Sequence, residues 1–225
     1  IDPQGDVSHC ESGYMATPWF SEKLTPQTRM RYASVTKVWT SDAILQLINQ
    51  GKLSLDTRIL DILDGIPTPK DPRWRAITVG HLLTHRGGFD RQSIFSPDMF
   101  THGQPPACPN HLDKLVEQPL RFDPGSKTAY SNLGYCLLGE VVAKLNNKPF
   151  TSTMEDNYHL AADNIIFLEN HRFADEPEYN HIETELTGVG DIYTAYDYPA
   201  LASSAGLSGS ALSMVRQTKN ILSSK

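Results

Sequence analysis

The segment Ala33–Lys37, with sequence ASVTK, places a serine and a lysine three residues apart at the predicted start of a long apolar helix. Residues at positions i and i+3 lie on the same face of a helix, so the Ser34 hydroxyl and the Lys37 amine can touch. A serine becomes a good nucleophile when a neighbouring base takes its proton. Burial and the positive N-terminal end of a helix both lower the pKa of a lysine, which lets Lys37 be that base.

A second segment, Tyr130-Ser131-Asn132, offers further groups for the same chemistry. Tyr130 is a candidate proton carrier, and Asn132 is a candidate amide donor. With Ser34 and Lys37 they suit acyl transfer through a covalent serine ester. Each short motif is weak alone, because both patterns recur by chance in chains of this size. An N-cap serine beside a solvated lysine explains the first pattern equally well, and a half-buried tyrosine beside an N-cap explains the second.

Three longer segments carry a resemblance to a known family: YASVTK at 32–37, HLLTHRGG at 81–88, and the stretch from FDPG to YSNLGY at 122–135. In these segments the chain resembles the penicillin-recognising serine hydrolases, in the branch of class C β-lactamases, D,D-peptidases and esterases. The resemblance implies a β-lactamase/transpeptidase-like α/β (α+β) fold. In that fold an antiparallel sheet is flanked by helices and joined by a helical subdomain.

The resemblance also implies roles for the four candidate residues. Ser34 is expected to be the acylated nucleophile, Lys37 its proton partner, Tyr130 the general base and acid, and Asn132 the substrate-orienting amide. The implied reaction is hydrolysis of an amide, lactam or ester carbonyl in a small-molecule or peptide substrate, of the esterase or D,D-peptidase type. We expect no cofactor and no metal, and the family analogy implies a periplasmic or secreted location.

The family's third motif, Lys or His followed by Thr or Ser and Gly, is not found. Leu186-Thr187-Gly188 matches the last two residues of that motif. It precedes the segment Ala205-Gly206-Leu207, whereas the family's motif follows that segment. This motif supplies half of the oxyanion hole, and loss of one donor there slows catalysis about a hundredfold or more. We therefore expect a fold that is incomplete at both ends or cut down. The alternative function is a catalytically impaired binding module that retains the serine site.

Composition limits the class of protein. The chain has 225 residues, of which 39% are hydrophobic and 20% charged, as in an ordinary globular protein. We expect a single domain over 1–225, with a helix-rich part at about 34–150 and a less readable part at 151–225. The net charge of −6 argues against a nucleic-acid partner. No apolar run reaches about 18 residues, so no membrane span is expected. No signal peptide is visible, and Ile1–Gln4 looks like a start after processing.

Apolar residues recur with helical spacing in four segments, at 35–50, 79–85, 133–146 and 212–222. Gly51 is predicted to stop the first helix, and Thr78 is predicted to cap the second. Ser131 is a candidate N-cap for the third, which would leave Tyr130 and Asn132 facing the cleft. The nucleophile is therefore expected on a mostly buried helix that includes Val35 and Val38.

Two histidines, His81 and His85, have the spacing to lie on one face of the second helix and bind a metal ion. Residue 82 is leucine, so the His-Glu-x-x-His pattern is absent, and a structural pair packed beside the site is the preferred interpretation. The acidic residues of 151–204 show no catalytic pair by spacing and predict a solvated face. Ser208 is predicted to be a turn residue in a flexible segment.

The three cysteines are Cys10, Cys108 and Cys136, and an odd number leaves at least one unpaired within the chain. Cys136 lies in an apolar helix and is predicted to be a small buried hydrophobic residue. In an oxidising compartment Cys10 and Cys108 can form a disulfide, although the spacing does not demand it. None of the three is predicted to be catalytic, because none has a flanking base.

Overall fold

The computed structural model describes residue 2 and residues 6–89, 107–179 and 191–223. The chain enters the fold through strand β1 (Met30–Arg31) and a 3-10 turn over Ala33–Thr36. Helix α1 (Lys37–Asn49) follows without a break. The family-like segment Leu186-Thr187-Gly188 lies outside the described residues.

The remaining helices are mostly short and surround one long central helix. They are α2 (Ile59–Ile62), α3 (Val79–Leu83), α4 (Ala107–Asn110), α5 (Leu112–Leu115), α6 (Asn132–Asn146), α7 (Phe150–Tyr158), α8 (Ala202–Ala205) and α9 (Ala211–Ser223). Two further 3-10 helices span Pro72–Ala76 and Leu160–Asp163. The helices predicted from apolar spacing are therefore present, and the second of them is shorter than predicted.

Helix α6 is the centre of the core and packs against α1, α3, α7 and α8. Its predicted apolar stripe is buried, including Leu137, Leu138 and Val141. Burial of each such side chain stabilises the fold by about 1.5–3 kcal/mol before the cost of ordering it. The helix begins where predicted, because the Ser131 hydroxyl oxygen accepts a hydrogen bond from the Gly134 backbone N–H at 3.1 Å. This packing fixes the residues at the N-terminus of α6.

A small antiparallel sheet lies beside the helices, with β3 (Leu207–Gly209) between β1 and β2 (Ile166–Phe167). The prediction of a flexible turn at Ser208 was wrong. Ser208 is fully buried in the central strand, and its hydroxyl donates to the Ile166 carbonyl at 3.2 Å. The small residues here serve close packing rather than flexibility, because a Cβ at Gly209 would come within 2.4 Å of the Tyr32 hydroxyl.

The prediction for α1 is confirmed in extent but not in burial. Gly51 follows the helix with a φ of +69°, a left-handed conformation that glycine adopts readily. Trp39 and Ile44 are fully buried, as predicted. Val35 and Val38 are 42% and 43% exposed, so the prediction of burial there was wrong. Periodicity shows which residues share a face, but it does not show whether another element covers that face.

The prediction of a solvated acidic face was also wrong at one position. Glu176 is fully buried and accepts a hydrogen bond from Arg31 Nε at 2.5 Å, while the Arg31 guanidinium lies 4.5 Å from the Tyr198 ring centroid. The carboxylate and the aromatic ring both stabilise the guanidinium. The partners are 145 residues apart in sequence. Local charge spacing therefore gave no sign of this pair.

A disulfide joins Cys108 of α4 to Cys136 of α6, with a Cα–Cα distance of 6.2 Å. Cys136 is buried as predicted, but its pairing with Cys108 corrects the proposed Cys10–Cys108 bond. Cys10 is free and exposed. Helix α6 carries Cys136 one turn beyond Asn132, so the bond anchors the segment around α4 next to the start of the central helix.

Removal of this disulfide should destabilise the protein. The bond closes a loop with a sequence separation of 28, for which chain entropy predicts about 3–4 kcal/mol. We expect the double variant Cys108→Ser/Cys136→Ser to lose about that much unfolding free energy in urea titrations. Cys10→Ser is the matched control and should change it by less than about 0.5 kcal/mol, as is usual at exposed positions. Equal losses in both variants would contradict a structural role for the bond.

Within the described ranges, no helix is both long and apolar enough to cross a membrane. The division into a helix-rich part at 34–150 and a second part at 151–225 stays a prediction. The elements that matter for the site are β1, the 3-10 turn, α1, α3, α6 and α8.

Candidate active site

Ser34 and Lys37 meet as their spacing predicted. Ser34 lies in the 3-10 turn with its side chain exposed, and Lys37 is the first residue of α1 and only 6% exposed. Lys37 Nζ is 3.3 Å from Ser34 Oγ. Side chains at i and i+3 align in a 3-10 turn, which brings the hydroxyl over the amine. The pair therefore joins a solvent-accessible hydroxyl to a buried amine.

The backbone around Ser34 is held from both sides by the central strand. The Tyr32 backbone N–H donates to the Leu207 carbonyl at 2.9 Å, and the Leu207 N–H donates to Thr36 Oγ1 at 3.1 Å. Between them Ala33 has a φ of +45°, in the left-handed region that costs a non-glycine residue about 1–2 kcal/mol. Such strain persists where surrounding contacts fix the chain. The anchors on both sides of Ser34 meet that condition.

Tyr130 and Asn132 reach the same point from the other half of the core. The Tyr130 hydroxyl donates to Ser34 Oγ at 2.6 Å, and Asn132 Oδ1 accepts from Lys37 Nζ at 2.7 Å. All four side chains singled out in the sequence are therefore brought together. With Oδ1 turned to Lys37, the Nδ2 group of Asn132 is the one that it can offer to a substrate.

The loop that carries Tyr130 is fixed by main-chain bonds to the segment after α3. This backbone ladder consists of three hydrogen bonds, from Arg121 N to Gly88 O at 2.9 Å, Gly125 N to Arg86 O at 2.8 Å, and Ala129 N to His85 O at 2.9 Å. Gly125 has a φ of +80°, a left-handed conformation that glycine adopts readily in a turn. The ladder brings the HLLTHRGG and FDPG segments together beside Tyr130.

The predicted helix over 79–85 ends early, at Leu83, and this changes the relation between the two histidines. Thr78 caps it as predicted, because its hydroxyl accepts from the His81 N–H at 3.2 Å. His81 Nδ1 in turn accepts from the Thr78 N–H at 3.3 Å. His85 lies past the helix with a φ of +57°, so the two residues do not share a helical face.

His85 packs beside the site, as the structural interpretation of the histidines predicted, but its hydrogen-bond partner was not foreseen. Its Nδ1 accepts a hydrogen bond from the Ser131 N–H at 3.2 Å, and its ring lies 4.4 Å from the Tyr130 ring. Gly87-Gly88 is a local sign of a chain reversal after His85, but it does not identify Ser131 as the partner. In the described part of the chain, no cluster of three or more His, Cys, Asp or Glu side chains is placed to hold a metal ion.

Burial of the Lys37 amine lowers its pKa, and the nearby Tyr130 phenol raises it in part. Its three acceptors are Ser34 Oγ, Asn132 Oδ1 and the Ser204 carbonyl, the last at 2.7 Å. A neutral amine has two N–H donors and one lone pair. It can donate to Asn132 and Ser204 and accept from the Ser34 hydroxyl. When Lys37 is neutral, the arrangement points its lone pair at the Ser34 proton, as a base requires.

The Ser204 acceptor depends on close packing between α8 and α6. A Cβ added at Gly139 would lie 2.6 Å from both Cβ and Oγ of Ser203, next to the carbonyl that holds Lys37. We expect Gly139→Ala to displace α8, lower the unfolding free energy by about 1–3 kcal/mol, and slow reaction at Ser34. Urea titration and acylation kinetics would measure the two effects.

Gly134→Ala is the matched control on the same helix. A Cβ there meets Leu82 at 3.7 Å, which is an ordinary contact. Replacement of a helical glycine with alanine then stabilises the protein by up to about 1 kcal/mol. If both variants lost stability equally, the close approach at Gly139 would not be the cause.

Comparison with known proteins identifies the family. The family model described as Beta-lactamase matches residues 14–217, which includes all four site residues. The chain belongs to the beta-lactamase family. The resemblance predicted from the three sequence segments is therefore confirmed, as is the β-lactamase-like mixed α and β fold.

Among curated relatives, a "Putative fimbrial assembly protein FimD, serogroup D" of Dichelobacter nodosus is 40% identical over 214 residues. The match covers 94% of this chain and 53% of the relative, so the chain spans about half the length of that protein. A "Putative D-alanyl-D-alanine carboxypeptidase" of Escherichia coli K12 is 31% identical over 151 residues, which is 61% of this chain and 33% of the relative.

Solved structures agree on the beta-lactamase-family fold. The "Beta-lactamase/D-alanine Carboxypeptidase from Yersinia pestis complexed with citrate" superposes with a TM-score of 0.71 at 22% identity, over 92% of this chain and 57% of that one. The penicillin binding protein from Bacillus halodurans gives a TM-score of 0.70 at 24% identity, over 97% of this chain and 66% of that one. At these identities the likeness shows the fold alone.

Proposed function

We propose that this beta-lactamase-family chain provides the acylation site of a serine hydrolase that acts on an amide, lactam or ester carbonyl. One observation carries the proposal: Ser34 Oγ lies between Lys37 Nζ at 3.3 Å and the Tyr130 hydroxyl at 2.6 Å. A hydroxyl that touches two proton-transfer groups is activated as a nucleophile and can pass its proton on. Relatives named as D-alanyl-D-alanine carboxypeptidases support a peptide substrate.

Acylation begins at the Ser34 hydroxyl. Neutral Lys37 accepts its proton as Oγ forms a bond to the carbonyl carbon, and the carbonyl π pair moves to the oxygen. When that pair re-forms the double bond, the bond to the leaving nitrogen or oxygen breaks. The leaving atom takes the phenolic proton of Tyr130, and the resulting phenolate recovers a proton from Lys37. Asn132 orients the substrate through its amide.

Deacylation uses the same groups in reverse. Water attacks the ester carbon and gives its proton to Lys37 by way of Tyr130, and Ser34 Oγ leaves and takes that proton back. The exposed position of Ser34 gives water access to the ester. The proton that departs with the leaving group is replaced by one from water, so Ser34, Lys37 and Tyr130 end the cycle in the forms in which they began it.

The second candidate function is a binding module that retains the serine site without turnover. Its support is that the three acceptors around Lys37 Nζ also suit the charged amine, which cannot take the proton of Ser34. A protein of this kind would bind the same substrates without forming the ester.

Intact-protein mass after incubation with a penicillin, and separately with a short activated ester, tests the proposal. We expect one added acyl group with at least one reagent, or continuous product release, and peptide mapping should place the label on Ser34. Ser126 serves as an internal comparison, because it is exposed and lies outside the site. Folded protein that shows neither adduct nor turnover with either reagent would overturn the hydrolase and favour the binding module.

The disulfide supports the proposed periplasmic or secreted location. Disulfides such as Cys108–Cys136 form and persist in oxidising compartments and are rare in reducing ones. Both sulfur-bearing residues are buried, which protects the bond from exchange with small thiols.

A further inference from the structure

His85 holds both residues that flank Tyr130. Its backbone carbonyl accepts from the Ala129 N–H at 2.9 Å, and its ring Nδ1 accepts from the Ser131 N–H at 3.2 Å. The left-handed backbone at His85, with a φ of +57°, allows the carbonyl and the ring to reach the same loop. One residue therefore fixes the chain on each side of the phenol that touches Ser34.

The His85 ring also packs against two tyrosines of the site. Ring centroids lie 4.4 Å from Tyr130 and 5.2 Å from Tyr135. The Tyr135 hydroxyl is itself held, at 3.0 Å from Ser41 Oγ and 3.3 Å from the Leu83 carbonyl. The imidazole thus fills the space between a fixed ring and the Tyr130 ring, which limits how far Tyr130 can move away from Ser34.

The protonation state of His85 decides whether this contact exists. Nδ1 accepts a hydrogen bond only in the neutral ring, because both nitrogens of the imidazolium carry protons. Burial lowers the pKa of His85, and a charge on Lys37 lowers it further. The other titratable groups that face it are the phenols of Tyr130 and Tyr135. Arg86, on the same segment, turns its guanidinium to the Gly125 carbonyl.

We propose that His85 is a positioning residue, which in its neutral form holds Tyr130 against Ser34, and that its protonation releases Tyr130. This inference rests on the proposed acylation of Ser34 and deepens it. The acylation rate then depends on two deprotonated groups, Lys37 as the base and His85 as the acceptor that positions Tyr130. His85 does not touch the substrate in this scheme.

Two substitutions of His85 distinguish the effect of the hydrogen-bond acceptor from the effect of the left-handed backbone. Asparagine keeps an acceptor at the equivalent position and tolerates left-handed backbone, whereas glycine keeps only the backbone freedom. We expect His85→Gly to slow acylation about 10- to 100-fold, because small displacements of a catalytic group have effects of that size. His85→Asn should be acylated about tenfold faster than His85→Gly. His159, an exposed histidine with a φ of +49°, provides the matched controls His159→Gly and His159→Asn, which should react as the parent does.

A double-mutant cycle with Tyr130→Phe tests whether His85 acts through Tyr130. If it does, His85→Gly should have no further effect on acylation once the phenol is gone. A purely structural role predicts that the two losses multiply. Multiplied losses would overturn the proposal.

The pH profile supplies an independent test that does not need the glycine variant to fold. The logarithm of the wild-type acylation rate should rise with pH with a slope of about two at the acidic end, where both His85 and Lys37 titrate. It should then rise with a slope of about one where only one of them titrates. His85→Asn should keep a slope of about one throughout. Equal slopes in the two proteins would overturn the proposal.

The outcomes distinguish this inference from the function on which it rests. Wild-type protein that is not acylated at any pH removes the proposed function, and the role of His85 falls with it. Acylated wild-type protein with multiplied losses or an unchanged slope removes only the role of His85. Thermal unfolding shows whether each variant is folded. If His85→Gly is folded, the double-mutant cycle applies; if it is not, the pH profiles of the wild type and His85→Asn decide.

Discussion

Ser34→Ala should abolish the penicillin adduct and slow turnover of an activated ester by about 10⁴-fold or more. The hydroxyl oxygen is the only heavy atom removed, and it is the atom that forms the ester. Ser34 is exposed and its backbone is held by its neighbours, so the fold should not change. Intact mass after a timed incubation and steady-state ester hydrolysis measure the two effects. Unchanged circular dichroism and thermal unfolding would show that the variant is folded.

Ser126→Ala is the control for this substitution. Ser126 is an exposed serine whose hydroxyl bonds only locally, to the Asp123 carbonyl at 2.6 Å. Its loss should leave labelling and turnover unchanged. Covalent labelling of Ser34→Ala to the wild-type extent would show that another nucleophile reacts and that Ser34 is not the residue that is acylated.

Lys37→Met should slow acylation by about 10²- to 10⁴-fold, the usual contribution of a general base. Methionine matches the length and apolar stem of lysine but cannot take a proton. Lys37→Arg should be just as slow, because a guanidinium stays charged at every accessible pH and cannot accept the Ser34 proton. An active arginine variant would mean that the positive charge alone matters. Single-turnover acylation with excess penicillin measures the step directly.

The lowered pKa of Lys37 also predicts a sign for the pH dependence of stability. The folded-state pKa lies below the unfolded value of about 10.4, so the unfolded chain binds more protons between the two pKa values. The contribution of Lys37 to the unfolding free energy therefore increases as pH rises through that window and is constant above it. Lys37→Met should lose this increase. Urea titrations at a series of pH values would detect it, and an identical pH dependence in both proteins would contradict the buried amine.

Local chemistry was enough to predict the Ser34–Lys37 contact, because a turn of helix fixes the distance between residues three apart. The meeting of this pair with Tyr130 and Asn132 followed only from the family resemblance, since 96 residues separate Ser34 from Tyr130. Periodicity predicted the helices that carry them. No local rule predicted the packing of α1 on α6 that brings the two motifs together.

The sequence did not predict contacts in which one partner is a backbone atom, because such a partner is not marked by any residue type. The Ser204 carbonyl that holds Lys37 is a backbone atom, and every residue has one. The His85–Ser131 bond likewise joins a side chain to a backbone N–H. The disulfide and the buried Glu176 required a choice among several cysteines and several carboxylates. Sequence spacing cannot make that choice, because it depends on which segments meet in the folded core.

Because the ladder beside Tyr130 is made of main-chain atoms, it does not depend on which side chains the loop carries. Ser126, Lys127 and Thr128 are exposed and lie between two of its bonds. Evolution can therefore vary these residues while the phenol stays in place. A library randomised at these three sites should retain acylation at Ser34 in its folded members.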